Sequence, residues 1–249
     1  IKKYKKTINR IEFIIDPGDT TEKKESVSLA TKISSIEDSV MNYNRFNSRS
    51  NFDNFVVGSG NQLAYTAAQK ICERTFNYNP LFIYGGVGMG KTHLLNAIGI
   101  KMQNNLNVMF ISAERFMYHF VRSIKNKDMV NFKDFFRKAN VFIIDDIQFV
   151  RGKEIVQEEF FHTFNALMDR GSQIVISSDR SPSNLDRMQD RIISRLSGGL
   201  VVDIQPPDFE LRIKILERKF EEIKVTFGEN INLNNEVMNF LASEFQSSL

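Results

Sequence analysis

The 249-residue chain has a formal net charge of +3, and 42% of its residues are hydrophobic, which suits one large globular domain or two smaller ones. No apolar run approaches the roughly 20 residues that a membrane-spanning helix needs. A single cysteine, Cys72, excludes an internal disulfide framework and suits a reducing compartment, so we expect a cytoplasmic protein.

Residues 1–42 are rich in Ser, Thr, Lys and Glu and show no sustained apolar period, which predicts a disordered linker. Within them IEFIID, residues 11–16, is a candidate for a short strand left from a preceding domain. Residues 1–50 hold ten Lys or Arg and seven Asp or Glu, which is the whole positive excess. The rest of the chain is neutral, so any contact with DNA must depend on the local placement of a few cations.

In residues 43–205, short apolar runs alternate with helical patterns. The strands, each almost continuously apolar as expected for burial on both faces, are predicted at 81–84, 108–112, 141–145, 173–178 and 200–204. The helices are predicted at 62–75, 91–104, 114–125, 131–138 and 154–170. Gly171 is a natural stop for the last of these helices. The alternation predicts an α/β domain with a parallel sheet and right-handed crossovers.

Residues 206–249 predict a helical unit that follows two prolines. Asp208 is expected to cap its first helix, and a second helix is predicted at 235–244. The first helix carries apolar residues on one face: Leu211, Ile215, Leu216 and Phe220. The unit is too small for a core of its own. Because the chain starts without Met and stops within a pattern, we expect a fragment of a longer protein.

The segment GGVGMGKT, residues 85–92, has the spacing of a phosphate-binding loop. It follows a predicted strand and opens a predicted helix, where backbone N–H groups and the helix N-terminus hold phosphates. Lys91 is expected to reach the β- and γ-phosphates, and Thr92 to bind Mg²⁺. A Gly-rich turn that only closes a strand–helix unit is the alternative. The residues predicted to contact the nucleotide here are Gly86, Gly88, Met89, Gly90, Lys91, Thr92 and His93.

Acidic residues follow two of the buried strands, at the edge where open α/β sheets place their ligand chemistry. Asp145 and Asp146 are adjacent, which is costly in a buried strand end unless Mg²⁺ or water engages them. We predict that Asp145 binds Mg²⁺ through water and that Asp146 orients the attacking water. Asp179 follows the next strand and is predicted to sense the γ-phosphate. A strand end with solvated acids is the alternative.

Three arginines, Arg187, Arg191 and Arg195, recur every four residues, which predicts one face of a short helix before the last strand. Arg195, at the helix end, is expected to enter the ATP site of a neighbouring subunit as an arginine finger. A solvated helix face is the alternative. Guanine switches use an N-K-x-D segment after a strand, whereas NKDM at residue 126 has the wrong order.

Six segments in this order resemble the AAA+ ATPase core of the DnaA family of bacterial chromosomal replication initiators: GGVGMGKTHLL, FIIDDIQFV, QEEFFHTFNAL, SSDRSP, DRIISRLSGGL and IQPPDFELR. The resemblance runs from about residue 52 to the end. It implies an AAA+ P-loop NTPase with a five-stranded parallel sheet, followed by a truncated α-helical lid. It also implies ATP and Mg²⁺ as cofactors, a weak ATPase that resets the protein, and an ATP-bound homo-oligomeric filament that opens origin DNA.

The resemblance also assigns roles to individual residues. Walker A contains Lys91 and Thr92, and Walker B contains Asp145 and Asp146. The other matches are Asp179 at sensor 1, Arg195 at the finger, Arg191 at a position supporting assembly, and Asn61 in the segment that closes over adenine.

Residues 114–140 match the family's initiator-specific helices, which hold single-stranded DNA. Val121 and Lys153 fall on DNA-contacting positions of the family. Ile155 stands where relatives place a second basic residue. The contact is therefore expected to be weaker, or to be supplied elsewhere, for instance by Arg122 or Lys125. A solvated helix face is the alternative for these residues.

Two parts of the family are not seen before residue 249: the sensor 2 arginine and the helix-turn-helix domain that reads duplex origin sites. We therefore expect this chain not to bind duplex sites specifically. The family's other partners are a replicative helicase, reached through the N-terminal region, and anionic membrane lipid. Two further hypotheses remain: a related AAA+ helicase loader or initiator regulator, and a P-loop kinase of small molecules.

Overall fold

The computed structural model describes residues 46–73, 78–227 and 234–244. The predicted linker and the candidate strand at residues 11–16 lie outside them. The elements in chain order are α1 Gln62–Cys72, β1 Leu81–Gly85, α2 Lys91–Met102, β2 Val108–Ser112, α3 Ala113–Lys125, α4 Met129–Arg137, β3 Val141–Asp145, α5 Glu154–Asp169, β4 Gln173–Ser178, α6 Asp190–Ser197, β5 Leu200–Ile204, α7 Phe209–Phe227 and α8 Asn235–Glu244. The five predicted strands are confirmed to within one residue. No helix of the described part has both the length and the apolar character to cross a membrane.

All five strands are parallel and lie in the order β2-β3-β4-β1-β5. β4 therefore separates β1, which leads into the glycine-rich loop, from β3, which carries the acids. Ile144 of β3 aligns with Ile176 of β4, and Tyr84 of β1 aligns with Ser178. This register brings the carboxyl ends of β1, β3 and β4 together at one edge of the sheet.

Successive side chains of a strand point to opposite faces of the sheet, and helices cover both faces. On one face, Leu81 and Ile83 belong to the apolar cluster that contains residues of α1 and α2. On the other, Phe82 belongs to the cluster that contains residues of α3, α4 and α5. An aromatic group at the centre of this second cluster is fully buried or nearly so: Phe116, Phe132, Phe136, Phe142 and Phe160.

Replacing Phe136 with alanine should lower the free energy of unfolding by about 3–5 kcal/mol, because a large buried ring would leave a cavity. Its ring centroid lies 4.7 Å from that of Phe132 and 5.1 Å from that of Phe116. Urea denaturation would measure the change. The matched control is Phe149→Ala, since Phe149 is 41% exposed. Equal losses in both variants would contradict the assignment of this cluster as core.

Two predicted helix ends have the expected hydrogen bonds. Gly171 follows α5 with φ +71°, and its N–H donates to the carbonyl of Met168 at 2.9 Å. Asp208 precedes α7, and its carboxylate accepts the N–H of Leu211 at 2.8 Å. The predictions that Gly171 ends α5 and that Asp208 caps α7 are both confirmed, and both depended on residues close in sequence.

The prediction that three arginines share one helical face is wrong for Arg187. α6 begins only at Asp190, and Arg187 lies before it with φ 56°. The carbonyl of Arg187 accepts the N–H of Gly152 at 2.9 Å and the side-chain amide of Gln157 at 2.8 Å. These contacts with distant residues stop the helix from extending backwards, so only Arg191 and Arg195 lie on α6.

The helical unit α7–α8 packs on itself and on the α/β domain. Leu211 and Phe220 of α7 are buried, whereas Ile215 and Leu216 are half-buried. A Cβ on Gly58 would lie 2.8 Å from Cδ2 of Leu211, so α7 lies directly against the loop that precedes α1. The unit therefore forms one wall beside the carboxyl edge of the sheet.

Candidate nucleotide-binding site

The glycine-rich loop between β1 and α2 has backbone conformations that favour glycine. Gly88 has φ 79° and Gly90 has φ 90°, both in the left-handed region. A Cβ on Gly90 would also lie 3.2 Å from Cε2 of Phe55, and a Cβ on Gly85 would collide with the carbonyl oxygen of Ile204. The loop is therefore held tightly at both ends.

Lys91 is buried at the start of α2, with 7% of its surface exposed. Its ammonium donates to the carbonyl oxygens of Gly85 at 2.8 Å and Gly86 at 2.7 Å. Since an ammonium has three donors, one N–H remains for an anion beside the loop. The helix N-terminus at Gly90 adds partial positive charge at the same place.

Thr92, in the first turn of α2, contacts Asp145 at the end of β3. The Thr92 hydroxyl donates to Oδ2 of Asp145 at 2.7 Å, and the hydroxyl of Ser177 donates to Oδ1. Burial raises the pKa of the Asp145 carboxyl, and the hydrogen bonds from Ser177 and Thr92 oppose that shift only in part. A hydroxyl and a buried carboxylate are hard oxygen ligands, the type that Mg²⁺ prefers. The residues present therefore fit the predicted metal.

Asp146 follows β3 with a left-handed backbone, φ 58°, and has its own set of hydrogen-bond partners. Its N–H donates to the Ser177 hydroxyl at 2.8 Å, and its Oδ1 accepts the side-chain amide of Gln148 at 3.0 Å. The amide oxygen of Gln148 in turn accepts the N–H of Asp179 at 3.3 Å. Ser177 thus joins the two adjacent acids, and Gln148 joins Asp146 to Asp179.

The Asp179 carboxylate is paired with its own chain neighbour. Arg180 donates to it twice, from Nε at 3.0 Å and from Nη2 at 2.8 Å. These hydrogen bonds are the main cause that lowers the pKa of the Asp179 carboxyl. Asp179 lies at the predicted edge, but as part of an ion pair.

A cleft of about 680 Å³, its open mouth included, lies between the glycine-rich loop, residues 54–61 and α7. Its lining includes the predicted residues Gly88, Met89, Gly90, His93 and Asn61. Small-ligand sites are commonly clefts in which a few polar groups converge among apolar side chains. Its position beside the phosphate-binding loop suits the base and ribose of a nucleotide.

Asn61 and His93 both shape this cleft. The Asn61 amide donates to the Val56 carbonyl at 3.0 Å and accepts the N–H of Gly58 at 2.9 Å, so it holds the loop in place. His93 is close to the Asn51 carbonyl, at 2.8 Å from Nε2, and packs edge-on against Phe55 with ring centroids 5.2 Å apart. Burial lowers the pKa of His93, which favours a neutral ring donating from Nε2 to the carbonyl.

α7 is fastened to the cleft by hydrogen bonds between residues far apart in sequence. The Ser59 hydroxyl donates to Asp208 at 2.8 Å, and the Arg218 guanidinium donates to the side chain of Asn54 at 2.5 Å. Arg218 and Lys219 also line the cleft. The helical unit therefore contributes directly to the candidate site.

The two arginines of α6 have different surroundings. Arg191 lies over the ring of Phe161, 4.6 Å from its centroid, and its Nε donates to Gln189 at 2.7 Å. Arg195 is exposed, and no hydrogen bond or ion pair joins its side chain to the described residues. Ile192 and Leu196 bury the opposite face of α6. Both arginines are exposed, but among the described residues only Arg191 has contacts that hold its guanidinium in place.

The residues predicted to contact DNA lie around α3 and the turn that follows β3. Val121 of α3 is 41% exposed, and Arg122 and Lys125 are exposed beside it. The Lys153 ammonium donates to the Phe149 carbonyl at 2.7 Å, and Ile155 is 69% exposed. These side chains are accessible to a ligand.

Sequence reasoning missed Ser177, Gln148, Arg180 and Arg218. The strand register signals Ser177, because Ile144 pairs with Ile176 and the next residues are Asp145 and Ser177. Gln148 lies in the segment FIIDDIQFV but was given no role. No local signal identifies Arg218, whose partner Asn54 is 164 residues away.

Comparison with known proteins shows that the chain is similar to bacterial replication proteins. The family model described as the bacterial DnaA ATPase domain matches residues 46–203. The chromosomal replication initiator proteins DnaA of Rickettsia canadensis and Rickettsia felis are 48% and 47% identical to the chain, over 99% of it and 54% of each relative. The chain thus spans about half the length of these relatives.

Solved structures agree with the sequence matches. Domain III of the Thermotoga maritima replication initiation protein DnaA is 44% identical, with a TM-score of 0.77, over 82% of this chain and 85% of that one. A replication initiator DnaA bound to AMPPCP and single-stranded DNA is 37% identical, with a TM-score of 0.73, over 81% of this chain and 62% of that one.

Proposed function

This chain belongs to the DnaA family of bacterial replication initiators, and on that premise we propose that it binds ATP and uses it as a switch for assembly on origin DNA. In the ATP-bound form, copies of the chain form a filament that promotes strand opening, and slow hydrolysis resets it. The observation that carries this proposal is the division of the site. The nucleotide cleft lies within one chain, whereas Arg195 is exposed and does not line that cleft.

ATP and Mg²⁺ are the cofactors that the residues support. Lys91 and the N–H groups of the glycine-rich loop would bind the phosphates, and the Thr92 hydroxyl and, through water, the Asp145 carboxylate would hold Mg²⁺. An Mg²⁺ ion held by these residues would neutralise charge on the phosphates. The relative described as bound to AMPPCP supports ATP as the nucleotide.

Hydrolysis depends on the side chain of Asp146. Its Oδ1 is held by Gln148 at 3.0 Å, which leaves Oδ2 to accept a hydrogen bond from the attacking water and orient it. Arg195 of a neighbouring copy stabilises the charge that develops on the γ-phosphate. Because the arginine comes from another copy, hydrolysis requires assembly.

Single-stranded DNA is the nucleic acid that we assign to Val121 and Lys153. The relative whose structure contains single-stranded DNA supports this assignment. Membership of the DnaA family favours an initiator over a helicase loader, an initiator regulator or a small-molecule kinase. The expected lack of specific duplex binding, a replicative helicase and anionic membrane lipid as partners, and a cytoplasmic location stay predictions, and the chain covers 54% of the relatives.

Sedimentation velocity tests the assembly switch. We expect a larger size distribution with ATP and Mg²⁺ than with ADP and Mg²⁺, and a further increase on addition of single-stranded DNA. Because both nucleotides fill the cleft, a difference between them reports the γ-phosphate. Identical distributions with ATP and ADP, with and without DNA, would contradict the proposed function.

Replacing Lys153 with alanine should weaken single-stranded DNA binding and reduce the slope of log affinity against log salt by about 0.7, the value expected for one phosphate contact. Fluorescence anisotropy over a salt series would measure both changes. Lys101→Ala is the matched control, because Lys101 is also exposed but lies near the C-terminal end of α2, outside residues 114–140. An unchanged slope for Lys153→Ala would remove this residue from the DNA contact.

A further inference from the structure

Gln157, the first residue of the segment QEEFFHTFNAL, is a buried polar side chain that the proposed function does not use. It lies on α5 with 1% of its surface exposed. A buried amide is costly unless its hydrogen bonds are made. The partners of Gln157 therefore indicate why the residue is there.

The Gln157 side chain makes three hydrogen bonds, all to the backbone of other segments. Its Nε2 donates to the carbonyls of Val150 at 3.0 Å and Arg187 at 2.8 Å, and its Oε1 accepts the N–H of Gln189 at 2.9 Å. Rotating the amide by 180° would set donor against donor and acceptor against acceptor. The chemistry of the three partners thus fixes its orientation.

These three partners surround the start of α6. Val150 ends the short 3₁₀ turn that follows Asp146, and Arg187 and Gln189 lead into α6 at Asp190. One turn after Gln157 on the same face of α5, the ring of Phe161 carries the Arg191 guanidinium 4.6 Å from its centroid. α5 therefore holds the first turn of α6 at two adjacent points.

We propose that Gln157 is a positioning residue for α6, which sets where Arg195 is presented to a neighbouring copy of the chain. α6 is only eight residues long, and Arg195 lies near its far end. A shift at Gln189 therefore moves the guanidinium of Arg195 directly. The role of Arg195 across the interface rests on the proposed function, whereas the fixing of α6 by Gln157 does not.

The backbone contacts allow the role to be tested without unfolding the protein. The Val150 carbonyl also accepts the N–H of Lys153 at 3.1 Å, and the Arg187 carbonyl also accepts the N–H of Gly152 at 2.9 Å. In Gln157→Met, which keeps the size of the side chain, these carbonyls each retain a partner. Among the three backbone groups, only the N–H of Gln189 depends on Gln157 alone within the described residues.

Hydrogen exchange measured by mass spectrometry tests the fixing of α6. In Gln157→Met, amides of residues 189–197 should exchange about tenfold faster or more, since the lost hydrogen bond loosens the start of the helix. The matched control is Thr163→Val, on the same helix, because the buried Thr163 hydroxyl makes no hydrogen bond to the described residues. Unchanged exchange in residues 189–197, or an equal rise throughout the chain, would overturn the inference.

A mixing experiment separates positioning from general damage. The ATP affinity of Gln157→Met should be within about twofold of that of the parent protein. The variant should nevertheless fail to assemble, because its Arg195 is displaced and cannot act as an arginine finger. Mixed with Lys91→Ala, which retains the finger but not the nucleotide site, it should form ATP-dependent pairs. If the parent protein assembles and the mixture stays monomeric, the inference is wrong. If the parent protein does not assemble, the proposed function fails, and the exchange measurement still decides the role of Gln157.

Discussion

Replacing Lys91 with alanine is expected to lower the affinity for ATP by about a hundredfold or more. Removing one partner of a buried charge pair costs about 2–5 kcal/mol, and Lys91 is the buried cation of the phosphate-binding loop. The change also removes the hydrogen bonds that the carbonyls of Gly85 and Gly86 accept from the Lys91 ammonium. Isothermal titration calorimetry with ATP and Mg²⁺ would measure the affinity.

Lys101→Ala is the matched control for this prediction. Lys101 lies on the same helix, near its C-terminal end, with its ammonium 5.6 Å from the ring centroid of Phe52. Its removal changes the net charge equally but should leave ATP affinity within about twofold, because the ammonium is far from the loop. Equal affinities of the parent protein and Lys91→Ala would show that ATP is not held by this loop. Thermal unfolding of each variant separates a lost contact from a lost fold.

The sheet and the phosphate-binding loop could be predicted because their signals are local. Strands such as β3 are buried on both faces, so nearly every residue is apolar and the run is easily recognised. The glycines of the loop meet a backbone requirement within eight residues of sequence. Local patterns of this kind do not depend on which other segments come close.

The contacts around α6 show the limit of such patterns. The four-residue spacing of the arginines favoured a helix from Arg187 onward, but a buried glutamine 30 residues earlier binds the Arg187 carbonyl and the chain turns there. No periodicity in the arginine segment itself contains that information. The same reason applies to Arg218, whose contact with Asn54 exists only once α7 has folded back over the sheet.

The ion pair between Asp179 and Arg180 refines the prediction for sensor 1. A bare carboxylate close to a γ-phosphate would repel it, since both are negatively charged. With two hydrogen bonds from Arg180, the pair presents little net charge while keeping the carboxylate oriented. Asp179 can then lie near the γ-phosphate at a smaller electrostatic cost, and the link through Gln148 connects its position to that of Asp146.

Replacing Arg195 with alanine is expected to abolish ATP-dependent assembly while leaving the affinity for ATP within about twofold. The affinity should persist because the side chain of Arg195 is exposed and bonds to none of the described residues of its own chain. Hydrolysis should be lost with assembly, because the arginine that a neighbouring copy would supply to the γ-phosphate is missing. Sedimentation with ATP and with ADP, beside a titration of nucleotide, would measure assembly and affinity on the same protein.

Arg170→Ala is the matched control, because Arg170 is also an exposed arginine at the end of a helix, but it follows α5 at the opposite edge of the sheet. It should assemble as the parent protein does. If Arg195→Ala assembles normally with ATP, the finger is another residue or the site is not shared. If it loses ATP affinity as well, Arg195 acts within its own chain. Only the combination of lost assembly and retained affinity identifies a cation that one copy supplies to the nucleotide of the next.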